Sequence, residues 1–142
     1  MKRKYIYLLI LAVVVCGGAA IVYKIWNKPF SDPLSGDAIR ISATRLFADF
    51  SKNETDAQKK YVPQKLGDKK LEITGEIDDI GKNEDNETYY ILKTGDENFG
   101  VKCIFDKGNE DEDAMEGNTI VVRGFCTGYN MDVIVNRCKV VK

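Results

Sequence analysis

Histidine is missing from all 142 residues. Its absence removes the His-based catalytic triad, the imidazole general base and the commonest transition-metal ligand together. Any acid–base chemistry would fall to carboxylates, Lys, Tyr or Cys. Acidic residues are missing too, but only locally. Residues 1–28 contain Lys2, Arg3, Lys4, Lys24 and Lys28 and no Asp or Glu. The chain holds 21 basic and 22 acidic residues, so the part after residue 28 carries a net charge of −6. Such a domain repels polyanions at long range, which disfavours general nucleic-acid binding. The four cysteines include no C-x-x-C pair, so a Cys-based metal site has little support. The acid run Glu110-Asp111-Glu112-Asp113 lacks the Asp/Asn ladder, central Gly and distal Glu of an EF-hand, and reads as a solvated loop. No metal and no cofactor are expected.

Charge is also absent from Tyr5 to Tyr23, YIYLLILAVVVCGGAAIVY. At about 1.5 Å per residue this run spans about 28 Å, close to the roughly 30 Å bilayer core. Lys2, Arg3 and Lys4 precede it, and Tyr5, Tyr7, Tyr23 and Trp26 sit at interfacial depth. We read 1–4 as a cytoplasmic basic tip and 5–26 as a single-pass transmembrane anchor of a bacterial cytoplasmic membrane. The positive-inside rule then puts the following domain on the outer side, periplasmic or extracellular. Two rivals give the same placement. Gly18-Ala19-Ala20 resembles a signal-peptide cleavage site, although Ile21, Val22 and Tyr23 prolong the apolar run past it. A lipoprotein signal ending at Cys16 would need a small residue where Val15 stands.

Residues 27–41 read as a linker, with Pro29, Pro33 and Gly36, and with Ile39 and Ile41 as a short extended piece. The domain proper is 42–142. It opens with a helix over about 44–61, capped by Ser42 or Thr44, whose apolar stripe is Leu46, Phe47, Phe50, Ala57 and Tyr61. Asn53-Glu54 is a candidate interruption. This helix packs on the β-structure or plugs one end of it.

Strand patterns follow. Leu71, Ile73, Gly75 and Ile77 alternate with polar residues, and Ile80 breaks the period, so a bulge belongs near Asp78-Asp79. Thr88–Thr94 is a second strand and Phe99–Phe105 a third, with 81–87 and 95–98 as turns. Thr119–Cys126 and Asp132–Val141 form a final hairpin, with Thr127-Gly128-Tyr129-Asn130 as turn chemistry. The pattern is mainly β: five strands, an insertion between the third and fourth, and a bent first strand. It describes a five-stranded OB-fold barrel with a preceding α-helix and an N-terminal transmembrane helix.

The segments NKP, LFADFSKNETDAQKKY, LEITGEI, VKCIF and GFCTGYNMDVIVNRC together resemble the bacterial tRNA_anti-like family, from about Lys28 onward. The resemblance implies an OB barrel, commonly behind a membrane or export segment. It implies no activity, and no catalytic residues carry over. Kinship with anticodon-binding domains is analogy of fold.

The domain cysteines are Cys103, Cys126 and Cys138. Outside the cytoplasm a disulfide is plausible. A turn over 128–131 would set Cys126 and Cys138 several residues apart along the hairpin, too far for a bond. The third and fifth strands of an OB barrel are neighbours, so Cys103–Cys138 is the favoured pair. A looser turn would restore Cys126–Cys138, and three free buried thiols are the remaining alternative.

The expected function is a non-enzymatic, membrane-tethered module that binds a protein, peptide or glycan outside the cytoplasm. OB barrels bind across the face of their second and third strands and the 1–2 and 4–5 loops. The candidate contacts are Tyr89, Phe99, Lys102, Arg123, Tyr129 and Asn130. Single-stranded nucleic-acid binding is the alternative, supported by aromatics near Lys93, Lys102 and Arg123 and opposed by the charge. Steep salt dependence would mark polyanion binding. Asp78-Asp79 is available for acid–base work, but nothing places a second carboxylate across a pocket from it.

Overall fold

The computed structural model describes residues 2–26, 32–65 and 68–142. The chain divides into two compact units, 1–32 and 33–142. The first is one helix, α1 (Lys2–Trp26), which covers the expected anchor. Among the described residues, which omit the side chains of 2–5, 8–11 and 24–26, no helix is long and apolar enough to cross a membrane. Residues 27–31 of the expected linker lie outside the described residues.

The second unit begins with β1 (Ile39–Ser42), which lies parallel to β2 (Leu71–Lys82). This is a sixth strand beyond the five expected, built from the short extended piece at Ile39 and Ile41. The single helix expected over 44–61 is two helices, α2 (Ala43–Lys52) and α3 (Glu54–Tyr61). Ser42 caps the first, its Oγ accepting from Arg45 N–H at 3.2 Å. Asn53 ends it in an extended conformation and caps the second, accepting from Asp56 N–H at 3.2 Å. An Asn side chain that satisfies a free helical N–H favours a new start over continuation.

Five strands close the barrel: β2, β3 (Thr88–Leu92), β4 (Val101–Phe105), β5 (Thr119–Asn130) and β6 (Asp132–Val140). Their order is β2-β3-β4-β6-β5, and β5 pairs back onto β2. The pairs are antiparallel except β4–β6, which is parallel. The first barrel strand can pair with both β3 and β5 because it is long and shifts register between Ile77 and Asp79, at the expected bulge. Closure leaves no open edge among the five strands.

Period-two alternation sends Leu71, Ile73, Ile77, Tyr90, Leu92, Val101, Cys103, Phe105, Val122, Cys126, Val133 and Val135 inward. The i, i+3, i+4 spacing of Ala43, Leu46, Phe47 and Phe50 gives α2 one apolar face, which joins the same core. Each such large side chain, removed from water, contributes roughly 1.5–3 kcal/mol. The insertion at 107–118 is a run of turns. Its anchor is the Tyr90 hydroxyl, which donates to Asp111 O at 2.8 Å and accepts from Asp111 N–H at 3.1 Å.

The hairpin differs from expectation. Thr127-Gly128-Tyr129-Asn130 is not the turn; it is the end of β5, paired with Ile134, Val133 and Asp132. The turn is the single residue Met131, at φ +66°. The favoured disulfide is corrected too: Cys103, Cys126 and Cys138 are free and buried. Cys103 and Cys126 both oppose Val135, from its two sides, while Cys138 opposes Phe105. No two of the three are cross-strand partners, although the Cys138 thiol is in hydrogen-bond contact with Cys103 across the register shift of β4 and β6.

Candidate ligand-binding face

The second and third barrel strands are β3 and β4, and each is hydrogen-bonded on both sides. Their outer face therefore offers side chains and no free backbone edge. Residues opposite those of the core point outward, and pairing aligns them in two rows across the strands. One row is Asp79, Ile91, Lys102, Ile134 and Gly128. The next is Gly81, Tyr89 and Ile104. Tyr89, Ile91, Lys102, Ile104 and Ile134 are all half-buried, so apolar area remains open to solvent.

Tyr89 is the centre of this face. Its ring lies across the neighbouring strand at Gly81, where a Cβ would fall 2.5 Å from the phenol oxygen. A side chain at residue 81 would lift the ring off the sheet. The Lys102 ammonium sits 4.2 Å from the ring centroid, where the negative π face attracts it. The arrangement is an aromatic ring with a cation over it, flanked by isoleucines.

One cross-strand pair beyond Tyr89 lies Lys82↔Thr88, and there a cavity of about 300 Å³ opens, lined by Lys82, Asp85, Asn86, Glu87, Thr88, Asp106, Lys107 and Glu110. The 1–2 loop and the 107–118 insertion build it together. Four carboxylates face two lysines there. Among the described residues, only Asp106 of the four is in an ion pair, with Arg137 at 3.7 Å.

Tyr89 and Lys102 are thus brought together, as the sequence pattern suggests; the other four candidates are not. Phe99 lies outside β4, in the β3–β4 connection, and is 38% exposed. Asn130 is exposed beside the hairpin turn. That turn is tied to the same connection, since Asp132 Oδ1 accepts from Gly100 N–H at 2.7 Å. Tyr129 faces inward under α2, 5.7 Å from the Phe50 ring in a stacked pose and 6.1 Å from Phe47 edge-on. Arg123 is on another wall, with its donors engaged. It donates to Glu72 Oε2 at 2.8 Å and to the carbonyls of Leu34 and Gly36 at 3.1 and 3.0 Å. Lys70 Nζ donates to Ser35 O, so residues 34–36 are strapped to the barrel. Sequence reasoning missed Gly81, Ile91, Ile104 and Ile134. Ile104 reads as an outer-face position, Ile134 as part of a run buried on both faces and Gly81 as a turn residue, so none of them stands out as a contact.

A second cavity, of about 290 Å³, lies between α2 and α3 and includes Arg45, Asp49, Lys52, Asp56, Lys60 and Tyr61. Its centre is the Tyr61 hydroxyl donating to Asp49 Oδ2 at 2.5 Å, with Arg45 Nε at 3.1 Å and Lys60 Nζ at 3.7 Å from that carboxylate. The Tyr61 hydrogen bond holds the Asp49 carboxyl below its ordinary range, aided by Arg45. Burial, then the Asp49 partner, pushes the Tyr61 phenol up. The two helices are joined by this charge-assisted bond. Among the described residues, no group of three or more Cys, Asp or Glu is placed to hold a metal ion.

A closed barrel of this strand order, with its open face on the second and third strands, defines an OB-type domain. The chain belongs to the tRNA_anti-like family, whose model matches residues 1–140. Among solved structures it is similar to a "putative nucleic acid-binding lipoprotein" from Klebsiella pneumoniae subsp. pneumoniae. That match has a TM-score of 0.55 at 17% identity and covers 72% of this chain and 92% of the other. At this identity the likeness speaks for the fold alone. No curated protein matches the chain.

Proposed function

We propose that the protein is a non-catalytic binding module, held by residues 5–26 on the outer side of a bacterial cytoplasmic membrane. Its ligand lies across the outer face of β3 and β4. The observation that carries this reading is the Tyr89 ring lying against Gly81 among Ile91, Ile104 and Ile134. Aromatic and aliphatic area left open between paired strands is binding surface. The non-catalytic reading is supported by where the shifted ionisable groups lie. Asp49, Tyr61 and Lys60 belong to the helix joint, Tyr90 to the loop anchor, Lys93 to its pair with Glu76, and Cys126 and Cys138 to the core; none is on the face.

Two features support the anchor. The charge-free run at 5–23 follows three basic residues. In α1 the described side chains Ile6, Tyr7, Val13, Val14, Val15, Ile21, Val22 and Tyr23 are all more than half exposed. A helix apolar all round needs a bilayer or a large protein interior.

The buried domain thiols allow a clean test of placement. Glu116 is exposed, so Glu116→Cys supplies a reporter thiol on the barrel unit. In cells stripped to the cytoplasmic membrane, an impermeant maleimide should label the variant and leave the parent's domain unlabelled. Labelling only after lysis would put the domain inside and overturn the reading.

Single-stranded nucleic acid is the second reading. Tyr89 with Lys102 supports it, being a stacking surface beside a cation, and so does the name of the Klebsiella protein. The net −6 of the part after residue 28 opposes it.

A further inference from the structure

We infer that the ligand of this face is a cationic, partly apolar peptide segment; the inference rests on the binding-module reading above. Three observations select that chemistry. First, the Tyr89 ring already holds a cation, the Lys102 ammonium at 4.2 Å, so its exposed face suits an Arg or Lys side chain. Second, the cavity one pair beyond Tyr89 is lined by Asp85, Glu87, Asp106 and Glu110 against Lys82 and Lys107, with Asp106 paired to Arg137, which leaves a surplus of one negative charge. Its surplus of negative charge attracts a basic residue and repels phosphate. Third, Ile104 beside Tyr89, and Ile91 and Ile134 in the row on the side away from the cavity, supply apolar area which a polyelectrolyte backbone would not use.

Strand pairing sets how such a peptide binds. Both β3 and β4 are hydrogen-bonded on each side, so the peptide cannot add as a further strand. Side chains carry the recognition: a basic residue on Tyr89, apolar residues on the isoleucines, a second basic residue at the acidic cavity. In this arrangement Lys102 is an internal competitor that occupies the ring until a ligand cation displaces it.

The test uses the full chain in nanodiscs of zwitterionic lipid, with empty nanodiscs as blank. Three fluorescent probes are compared by anisotropy: a short peptide alternating Arg and Val, its Glu-and-Val counterpart, and an oligothymidylate. The Arg–Val peptide should bind about tenfold more tightly than either other probe. Tyr89→Leu, which keeps an apolar side chain over Gly81, should weaken it about tenfold. Asp85→Asn, an exposed change, with Glu87→Gln, which keeps a side-chain oxygen to accept from Asn83 Nδ2, should weaken it by a similar factor. Lys102→Met separates the ligand classes by sign. Removing the competing cation should tighten the Arg–Val peptide about threefold. A nucleic acid would lose a phosphate contact and bind more weakly. Preference for oligothymidylate, lost on Tyr89→Leu and weakened by Lys102→Met, would overturn the peptide assignment and keep the face. Binding of every probe unchanged by Tyr89→Leu and by the carboxylate changes would overturn the face itself.

Discussion

Tyr61→Phe tests the joint between α2 and α3 with a single oxygen atom. Tyr61 is 1% exposed, and its ring packs 6.1 Å from Phe50, so Phe fills the same space. The loss is the 2.5 Å hydrogen bond to Asp49. Bonds to charged groups contribute roughly 1.5–3 kcal/mol. The Asp49 side chain is 23% exposed and keeps Arg45, so water and the guanidinium take up the freed oxygen. The expected cost is therefore at the low end, about 1.5 kcal/mol. For a domain of this size that is about 6 °C in Tm. Urea unfolding of the full chain in detergent, followed by circular dichroism, should show a lower midpoint with unchanged slope. The pH dependence makes the test sharper. The Tyr61 bond comes first among the causes that depress Asp49. Its contribution is present above the unfolded carboxyl pKa of about 3.9 and is lost as pH falls through the lower folded value. Burial and Asp49 raise the Tyr61 phenol. That contribution is present below the unfolded phenol pKa of about 10 and is lost as pH rises through the higher folded value. The stability difference between parent and variant should thus be flat from about pH 5 to pH 9 and shrink on both sides. A Phe variant as stable as the parent at neutral pH, or a difference that widens in acid, would refute the reasoning.

Three further outcomes are expected. Gly124→Ala puts a methyl 2.7 Å from Val135 Cγ1 and 2.8 Å from Cys138 Sγ. It should cost about 1–3 kcal/mol by chemical denaturation, and Val135→Ala should restore part of the loss. Burial pushes the Cys126 thiol up to about 11 and also raises Cys138. Iodoacetamide at neutral pH should spare the three domain cysteines until denaturant is added, and mobility on gels should not depend on reductant; a reductant-sensitive band shift would show a disulfide. Arg123→Met removes the donors to Glu72, Leu34 O and Gly36 O, so limited trypsinolysis at or just before 34–40 should quicken while the barrel core persists. An unchanged cleavage pattern would mean that the remaining contacts, Lys70 to Ser35 O and the burial of Leu34 among them, hold the strap without Arg123.

The barrel strands were readable because one face of each is buried and period two is then enforced. Leu71, Ile73 and Ile77 and the bulge after them lie as the alternation implies. The cap at Ser42 and the break at Asn53 were readable because capping is local chemistry. Site residues were harder for a specific reason. Tyr89 and Lys102 share a face because both are outward positions of adjacent strands, but their contact depends on inter-strand register. Arg123 looked like a free cation because its partners, Glu72 and the carbonyls of Leu34 and Gly36, lie 51, 89 and 87 residues away in sequence. No local pattern carries that information. Gly81 looked like the start of a turn, whereas it is a strand residue kept bare by the ring across it.

The hairpin shows how one misplaced turn changes two functional readings at once. Thr-Gly-Tyr-Asn has the composition of a turn, yet two register shifts, at Arg123/Phe125 and Cys126/Gly128, carry β5 through it to Asn130. Each shift adds a residue to one strand and coils the ribbon more tightly. The tightened end delivers Tyr129 beneath α2, onto Phe47 and Phe50, where a loop-tip aromatic would have faced solvent. The same shifts help set Cys138 beside Gly124, leaving Cys126 opposite Val135. A residue expected to touch ligand becomes part of the plug between helix and barrel, and cysteines expected to crosslink become packing. Both corrections move chemistry away from this end of the barrel. The face whose residues are not consumed by closure is then the outer face of β3 and β4 around Tyr89, where we propose that ligand binds.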